Sequence, residues 1–198
     1  MNDVRSLLGK RRELTMQKKL VILDRDGIIN QESDSFIKSP NEWIPIPGSL
    51  EAIARLNQAG YRTVIVSNQS GLGRGLFNMA TLNEIHEKMH YNLAALGGRI
   101  DAIFFCSHIP SDYCDCRKPK PGLLVQIIQR FEINPASVPL VGDSLRDLQA
   151  GAAAGFSCHL VLTGKGQKTL DAGYLPEGTI VYSNLHAFAL DFLAAKDN

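Results

Sequence analysis

Short apolar runs rich in branched residues alternate along this chain with stretches whose apolar positions recur every three or four residues. The run 20–24 opens with four consecutive apolar residues ahead of a turn at Gly27, the pattern of a strand covered on both faces. Pro47-Gly48 then opens a helix over 49–60, in which Leu50, Ile53, Ala54 and Leu56 form one stripe and Gly60 can end it. The same patterns predict strands at 63–67, 102–106, 138–143, 158–163 and 179–182, and helices at 78–98, 121–133, 145–155 and 185–195. Alternation of this kind implies right-handed β-α-β units and an α/β fold built on a doubly wound, mostly parallel sheet. Ligands of such folds bind beyond the carboxyl ends of the strands. Asp24, Ser67, Cys106 and Asp143 all fall at predicted strand ends.

Bulk properties narrow the classes. A chain of 198 residues, 44% hydrophobic, suits one domain that buries roughly 70% of its unfolded surface. A formal net charge of +1 argues against a surface made to coat nucleic acid or an anionic membrane. No apolar run approaches the roughly 20 residues of a membrane span, and no signal-peptide pattern is present. The expectation is a cytoplasmic monomer, in a compartment where clustered cysteines mean metal more often than disulfide. Residues 1–19 carry six Lys/Arg against two acids and no strand pattern, so they are expected to form a flexible basic extension ahead of a single domain at 20–198.

"LDRDG" sets Asp24 at the end of a buried strand and Asp26 two residues on. Phosphoryl transfer to a carboxylate needs such a pair, with one oxygen as nucleophile and a second carboxyl to protonate the leaving oxygen and then take a proton from water. Two carboxylates facing a phosphate repel it, so a divalent cation is required, and Mg²⁺ suits all-oxygen ligands. Ser67 and Asn68 offer neutral donors, Lys118 a cation, and Asp143 a further Mg²⁺ ligand, with Asp147 one helical turn behind it.

The set Asp24-Arg25-Asp26-Gly27, Ser67-Asn68, Lys118-Pro119 and Gly142-Asp143 with Asp147 resembles the four motifs of the haloacid dehalogenase-like phosphatases. The resemblance implies a Rossmann-like fold of that family, Asp24 as the nucleophile that forms an aspartyl-phosphate, and Asp26 as general acid/base. It also implies Mg²⁺ on the Asp24 carboxylate, the Asp26 backbone carbonyl and Asp143. Ile28 departs from the Thr or Val common after D-x-D-G in that family.

Cys106, His108, Cys114 and Cys116 read C-x-H-x5-C-x-C, four ligands that match a closed tetrahedral Zn²⁺ site in kind and number. All four positions are filled from one loop, which predicts structural rather than catalytic zinc. Its last ligand adjoins Arg117 and Lys118, so a zinc clamp would hold those two cations still.

Two subgroups of the family pair such a loop with D-x-D: one takes a heptose bisphosphate, the other histidinol phosphate. Ser70 and Arg74 in "NQSGLGRG" and the run "RKPKPG" resemble the first. The implied activity is removal of the 7-phosphate of a heptose 1,7-bisphosphate, on the way to lipopolysaccharide core heptose, with histidinol phosphate as the alternative substrate. A non-catalytic zinc protein that binds nucleic acid is the reading from another class. The partner expected is a small phosphorylated sugar, with no nucleic acid and no membrane.

No insertion is long enough for a separate cap domain, so selection falls to loops. By position Glu32, Ser33, Asp34 and Ser35 would touch sugar, and Ser67, Asn68, Gln69 and Ser70 the phosphate region. Arg117, helped by Arg74, would bind the distant phosphate. Ser144 counts among substrate contacts, at a position where some relatives carry Lys. His86, His90 and Cys158 read as surface or packing residues, and Trp43 as either loop packing or sugar lining.

Overall fold

The computed structural model describes residues 19–197, so apart from Lys19 the expected basic extension lies outside the described residues. Six strands form one parallel sheet: β1 (Leu20–Leu23), β2 (Arg62–Asn68), β3 (Ala102–Cys106), β4 (Pro139–Gly142), β5 (Ser157–Val161) and β6 (Ile180–Tyr182), in the order 3-2-1-4-5-6. That order reverses direction between β1 and β4, and a crevice opens beyond the carboxyl ends at such a switch point. Asp24 and Asp143 follow these two strands directly.

The period-2 pleat explains why β1 has no polar face. Val21 and Leu23 pack with α1 (Ser49–Gln58), α3 (Met79–Ala94) and α7 (Leu185–Asp197) through Ile53, Leu56, Ile85, Met89 and Phe188. Leu20 and Ile22 point the other way, with Val64, Val66 and Leu140, against α4 (Gly122–Phe131) and α5 (Leu145–Ala153). Every residue of β1 and β4 is buried, as continuous apolar runs require. Asn78 caps α3 by accepting from the Thr81 N–H, which fixes where that helix begins.

Two short helices lie outside the predicted set: α2 (Ser70–Gly73), just after β2, and α6 (Gly166–Ala172), after β5. Both are too short, and too poor in apolar positions, to show a helical period. Trp43 is fully buried in the core, so it packs loop 29–46 down rather than lining a site. Lys88 on α3 fastens that loop by donating to the carbonyls of Pro40 (2.6 Å) and Trp43 (3.0 Å). Cys158 packs with Leu148 and Leu160 in a small core cluster. No helix among the described residues is long and apolar enough to cross a membrane.

Candidate active site

At the switch point, three carboxylates meet one lysine. Lys118 Nζ lies 3.0 Å from Asp24 Oδ1 and 2.6 Å from Asp147 Oδ1, and donates to the Val66 carbonyl at 2.8 Å. Its backbone is held as firmly. The Asn68 side chain accepts from the Lys118 N–H and donates to the Lys118 carbonyl, both at 3.1 Å. Asn68 was expected as a donor to phosphoryl oxygens; one of its two N–H groups is committed to the lysine instead. Asp24 is anchored by its own N–H, which donates to Val141 across the β1–β4 gap at 3.0 Å.

One lysine cannot neutralise this group. Ligand oxygens of Asp24, Asp143 and Asp147 all lie within 4.8 Å of one another. Burial pushes the Asp24 carboxyl up to about 7, with Lys118 opposing and Asp147 and Asp26 adding repulsion. Asp143 is pushed up to about 8 by burial and by the charges of Asp147 and Asp24. Asp147 goes the other way: burial would raise it, but the Lys118 charge and hydrogen bond and the Ser144 hydroxyl hold it below the usual carboxylate range. For Lys118, burial is outweighed by Asp147 and Asp24, which keep the ammonium charged. Two carboxylates raised by burial and by neighbouring negative charge, with hard oxygen donors converging, fit a small divalent cation such as Mg²⁺.

Asp26 stands apart from that trio. Arg25 Nε and Nη2 donate to its Oδ1 at 3.1 and 2.9 Å, and Nη2 also reaches Oδ2 at 3.0 Å. Asn30 donates to Oδ1 and Gln69 to Oδ2, each at 2.9 Å. Burial would raise its pKa, but the Arg25 charge and these hydrogen bonds win, and the carboxyl sits below its usual value.

The loop after β5 closes the floor, which the sequence reading missed. Thr163 Oγ1 donates to the Gly27 carbonyl at 2.6 Å, and Thr169 Oγ1 to the Asp143 carbonyl at 2.9 Å. The Lys165 N–H donates to Asp143 Oδ2 at 2.7 Å. A Cβ on Gly27 or Gly164 would overlap Asp143 Oδ2, so both positions need glycine, the more so since their φ angles are +83° and +56°. The available signal was "TGKG" at a strand end, a glycine pair around a lysine.

Cys106, His108, Cys114 and Cys116 converge as their spacing predicts. Cys116 Sγ is 3.2 Å from Cys106 Sγ, 3.4 Å from Cys114 Sγ and 3.3 Å from His108 Nδ1, while Cys106 Sγ is 3.6 Å from both Cys114 Sγ and His108 Nδ1. A tetrahedron with ligands about 2.3 Å from its centre has edges near 3.8 Å, so the donor set fits Zn²⁺.

Above Asp26 a cavity of about 240 Å³ is lined by Glu32, Ser33, Asp34, Asn68, Gln69, Ser70, Arg74 and Arg117, all expected near substrate, and by Phe36, Ile37, Arg146 and Lys165, which were not. Ser35 and Ser144 are not in its lining. Ser144 caps α5 instead: its N–H and hydroxyl both donate to Asp147 Oδ2. Lys165 Nζ pairs with Glu32 and lies 3.7 Å from Asp34.

A haloacid dehalogenase-like hydrolase family model matches residues 3–155. A curated D-glycero-β-D-manno-heptose-1,7-bisphosphate 7-phosphatase from Bordetella bronchiseptica is 60% identical over 175 residues, 88% of this chain and 98% of that protein. One of the same description from Neisseria meningitidis is 53% identical over 173 residues, 86% and 92% of the two chains. Among solved structures, the D,D-heptose 1,7-bisphosphate phosphatase of B. bronchiseptica, complexed with magnesium and phosphate, superposes with a TM-score of 0.89 at 59% identity, covering 89% of this chain and 99% of that one. The Burkholderia thailandensis enzyme gives 0.73 at 62% identity, with the same coverage. With the strand-end acids, the lysine and this match in hand, the chain belongs to the haloacid dehalogenase-like hydrolases.

Proposed function

We infer that this chain hydrolyses the 7-phosphate of D-glycero-β-D-manno-heptose 1,7-bisphosphate, with Mg²⁺ at the Asp24 centre and structural Zn²⁺ on the Cys/His loop. The observation that carries the bisphosphate is the cavity wall. Arg74, Arg117 and Arg146 line it, and among the described residues none of them is ion-paired. Burial, then the neighbouring Arg146 and Arg74 charges, lower the Arg117 pKa against the opposing effect of Cys106 and Cys114, so a bound anion would be favoured there. A phosphate that stays on the product supplies that anion, and Arg can hold it bidentately. Similarity to the named 7-phosphatases supports the same substrate.

The residues divide the work as follows. Asp24 attacks phosphorus in line, forming an aspartyl-phosphate as the ester oxygen leaves. Asp26 protonates that oxygen, then takes the proton of the water that hydrolyses the acyl phosphate. Lys118 and the Ser67 hydroxyl offset charge on the phosphoryl oxygens, stabilisation that counts most in a site shielded from water. When bound, Mg²⁺ on Asp24, Asp143 and the Asp26 backbone carbonyl supplies the positive charge that lets a phosphate dianion approach two carboxylates. Glu32, Ser33 and Asp34 face the sugar.

The test is kcat/KM for heptose 1,7-bisphosphate against histidinol phosphate with the same preparation. A preference for the heptose of at least about 100-fold is expected, since a lost charge-assisted contact is worth roughly that much. A preference for histidinol phosphate overturns the assignment.

A further inference from the structure

The residue between the two catalytic aspartates points away from substrate, into the protein. Arg25 is 1% exposed, and beyond its contacts to Asp26 its Nη2 donates to Gln69 Oε1 at 3.2 Å. Gln69 in turn donates from Nε2 to Asp26 Oδ2 at 2.9 Å and to Ser67 Oγ at 2.7 Å. The direction of this chain follows from donor chemistry alone. A guanidinium only donates, so the Gln69 oxygen must face Arg25 and its amide nitrogen must face Asp26 and Ser67. The reverse setting would press N–H against N–H on one side and oxygen against carboxylate on the other.

That direction has a consequence for Ser67. Its oxygen accepts from Gln69, so its own proton is free for another acceptor, which is what a donor to a phosphoryl oxygen requires. Asp26, held on both oxygens, keeps 22% of its side chain exposed and lines the cavity. Gln69, expected as a substrate contact, therefore has its amide spent on two groups that face substrate.

We propose that Arg25 and Gln69 are positioning residues, which fix the Asp26 carboxylate and the Ser67 hydroxyl in the orientations that the phosphate ester meets. This rests on the phosphatase reading above. Arg25 carries the network's charge and Gln69 divides it between proton transfer and phosphoryl binding. Preorganisation of this kind acts on the chemical step, because a misplaced acid still allows binding.

Leaving-group dependence separates this role from a merely structural one. A sugar alkoxide needs a proton to leave, whereas a nitrophenolate leaves without one. Gln69→Leu should lower kcat/KM about 100-fold on heptose 1,7-bisphosphate but less than about tenfold on p-nitrophenyl phosphate, general acid catalysis being worth 10²–10⁴. Arg25→Lys should show the same split if it folds; Gln69→Leu removes no charge and carries the test alone if it does not. Asp26→Asn on the same two substrates is the reference. If Asp26→Asn splits the substrates and Gln69→Leu lowers both equally, or neither, positioning of Asp26 is overturned while the acid role stands. If Asp26→Asn itself shows no split, the acid role fails and the proposal falls with it.

Discussion

Arg117 and Lys118 are adjacent in sequence yet are held by different means. Lys118 is 4% exposed, with its ammonium on Asp24, Asp147 and Val66 and its backbone doubly bonded to Asn68. Arg117 is half-buried, and the hydrogen bond of its guanidinium among the described residues is a 3.4 Å contact to the His108 carbonyl. His108 belongs to the Cys/His set, whose side chains contact one another at 3.2–3.6 Å. The lysine is thus fixed by the sheet, and the arginine by whatever fixes the loop. A zinc clamp, expected to preorganise both cations, would on this geometry matter more for the distant phosphate than for the reacting one.

The largest effect should come at the sheet end. Asp24→Asn should abolish turnover, a loss of more than about 10⁴-fold, on the scale seen when a nucleophile or its partners are removed. Circular dichroism should show the fold intact, and appreciable residual turnover would remove Asp24 as nucleophile. Lys118→Met should come next, because it leaves two buried carboxylates without their cation. Breaking a buried pair costs about 3–5 kcal/mol, so the melting temperature should fall as well as the rate.

The loop should break more gently. Cys114→Ser with Cys116→Ser, or chelation of zinc, should cost about 10–100-fold in kcat/KM, a range typical when a metal site's support is lost. Most of it should be in KM for the bisphosphate, since Arg117 moves and Lys118 does not. A folded, zinc-free protein with full activity would end the clamp idea, and an equal loss in kcat would mean the loop holds Lys118 too.

A thermal-melt series against pH sharpens the electrostatic half. Asp24 and Asp143 have folded-state pKa values of about 7 and about 8, above the ordinary aspartate value of about 3.9. The folded protein therefore binds more protons than the unfolded chain between roughly pH 4 and 8, and without Mg²⁺ its stability should fall as pH rises through that window. Asp26 and Asp147 are lowered, so their contribution is present above pH 4 and is lost only below it. Mg²⁺ should raise the melting temperature more at pH 8 than at pH 5; an equal rise at both would argue against binding through Asp24 and Asp143. Smallest of all, Ser144→Ala removes the α5 cap and its bond to Asp147, a loss of about 1 kcal/mol, or roughly 2–4 °C. An effect many times larger on KM would restore Ser144 as a substrate contact.

Much of this was legible because each strand of the sheet centre is a continuous apolar run, and each run stops at a polar residue. Asp24 and Asp143 could be found that way, and the four residues of the Cys/His cluster could be found because they lie within eleven residues of one another. What could not be found was set by distance along the chain. Lys165 meets Glu32 and Asp143 from a loop more than a hundred residues after Glu32, and no local pattern announces that meeting. Arg146 could be seen beside Asp147, but not that it lines one cavity with Arg117.

The sequence by itself determined the strand and helix alternation, the chemical identity of the reactive groups and the membership of the Cys/His cluster, because those depend on residue type and near spacing. Only the tertiary structure decided how the polar side chains are spent. Asn68, Gln69 and Ser144 all have the chemistry to bind a substrate, yet each is committed to a protein partner: Asn68 to the Lys118 backbone, Gln69 to Asp26 and Ser67, Ser144 to Asp147. A buried donor or acceptor must find a partner, and which partner lies in reach is fixed by how the strands are ordered in the sheet.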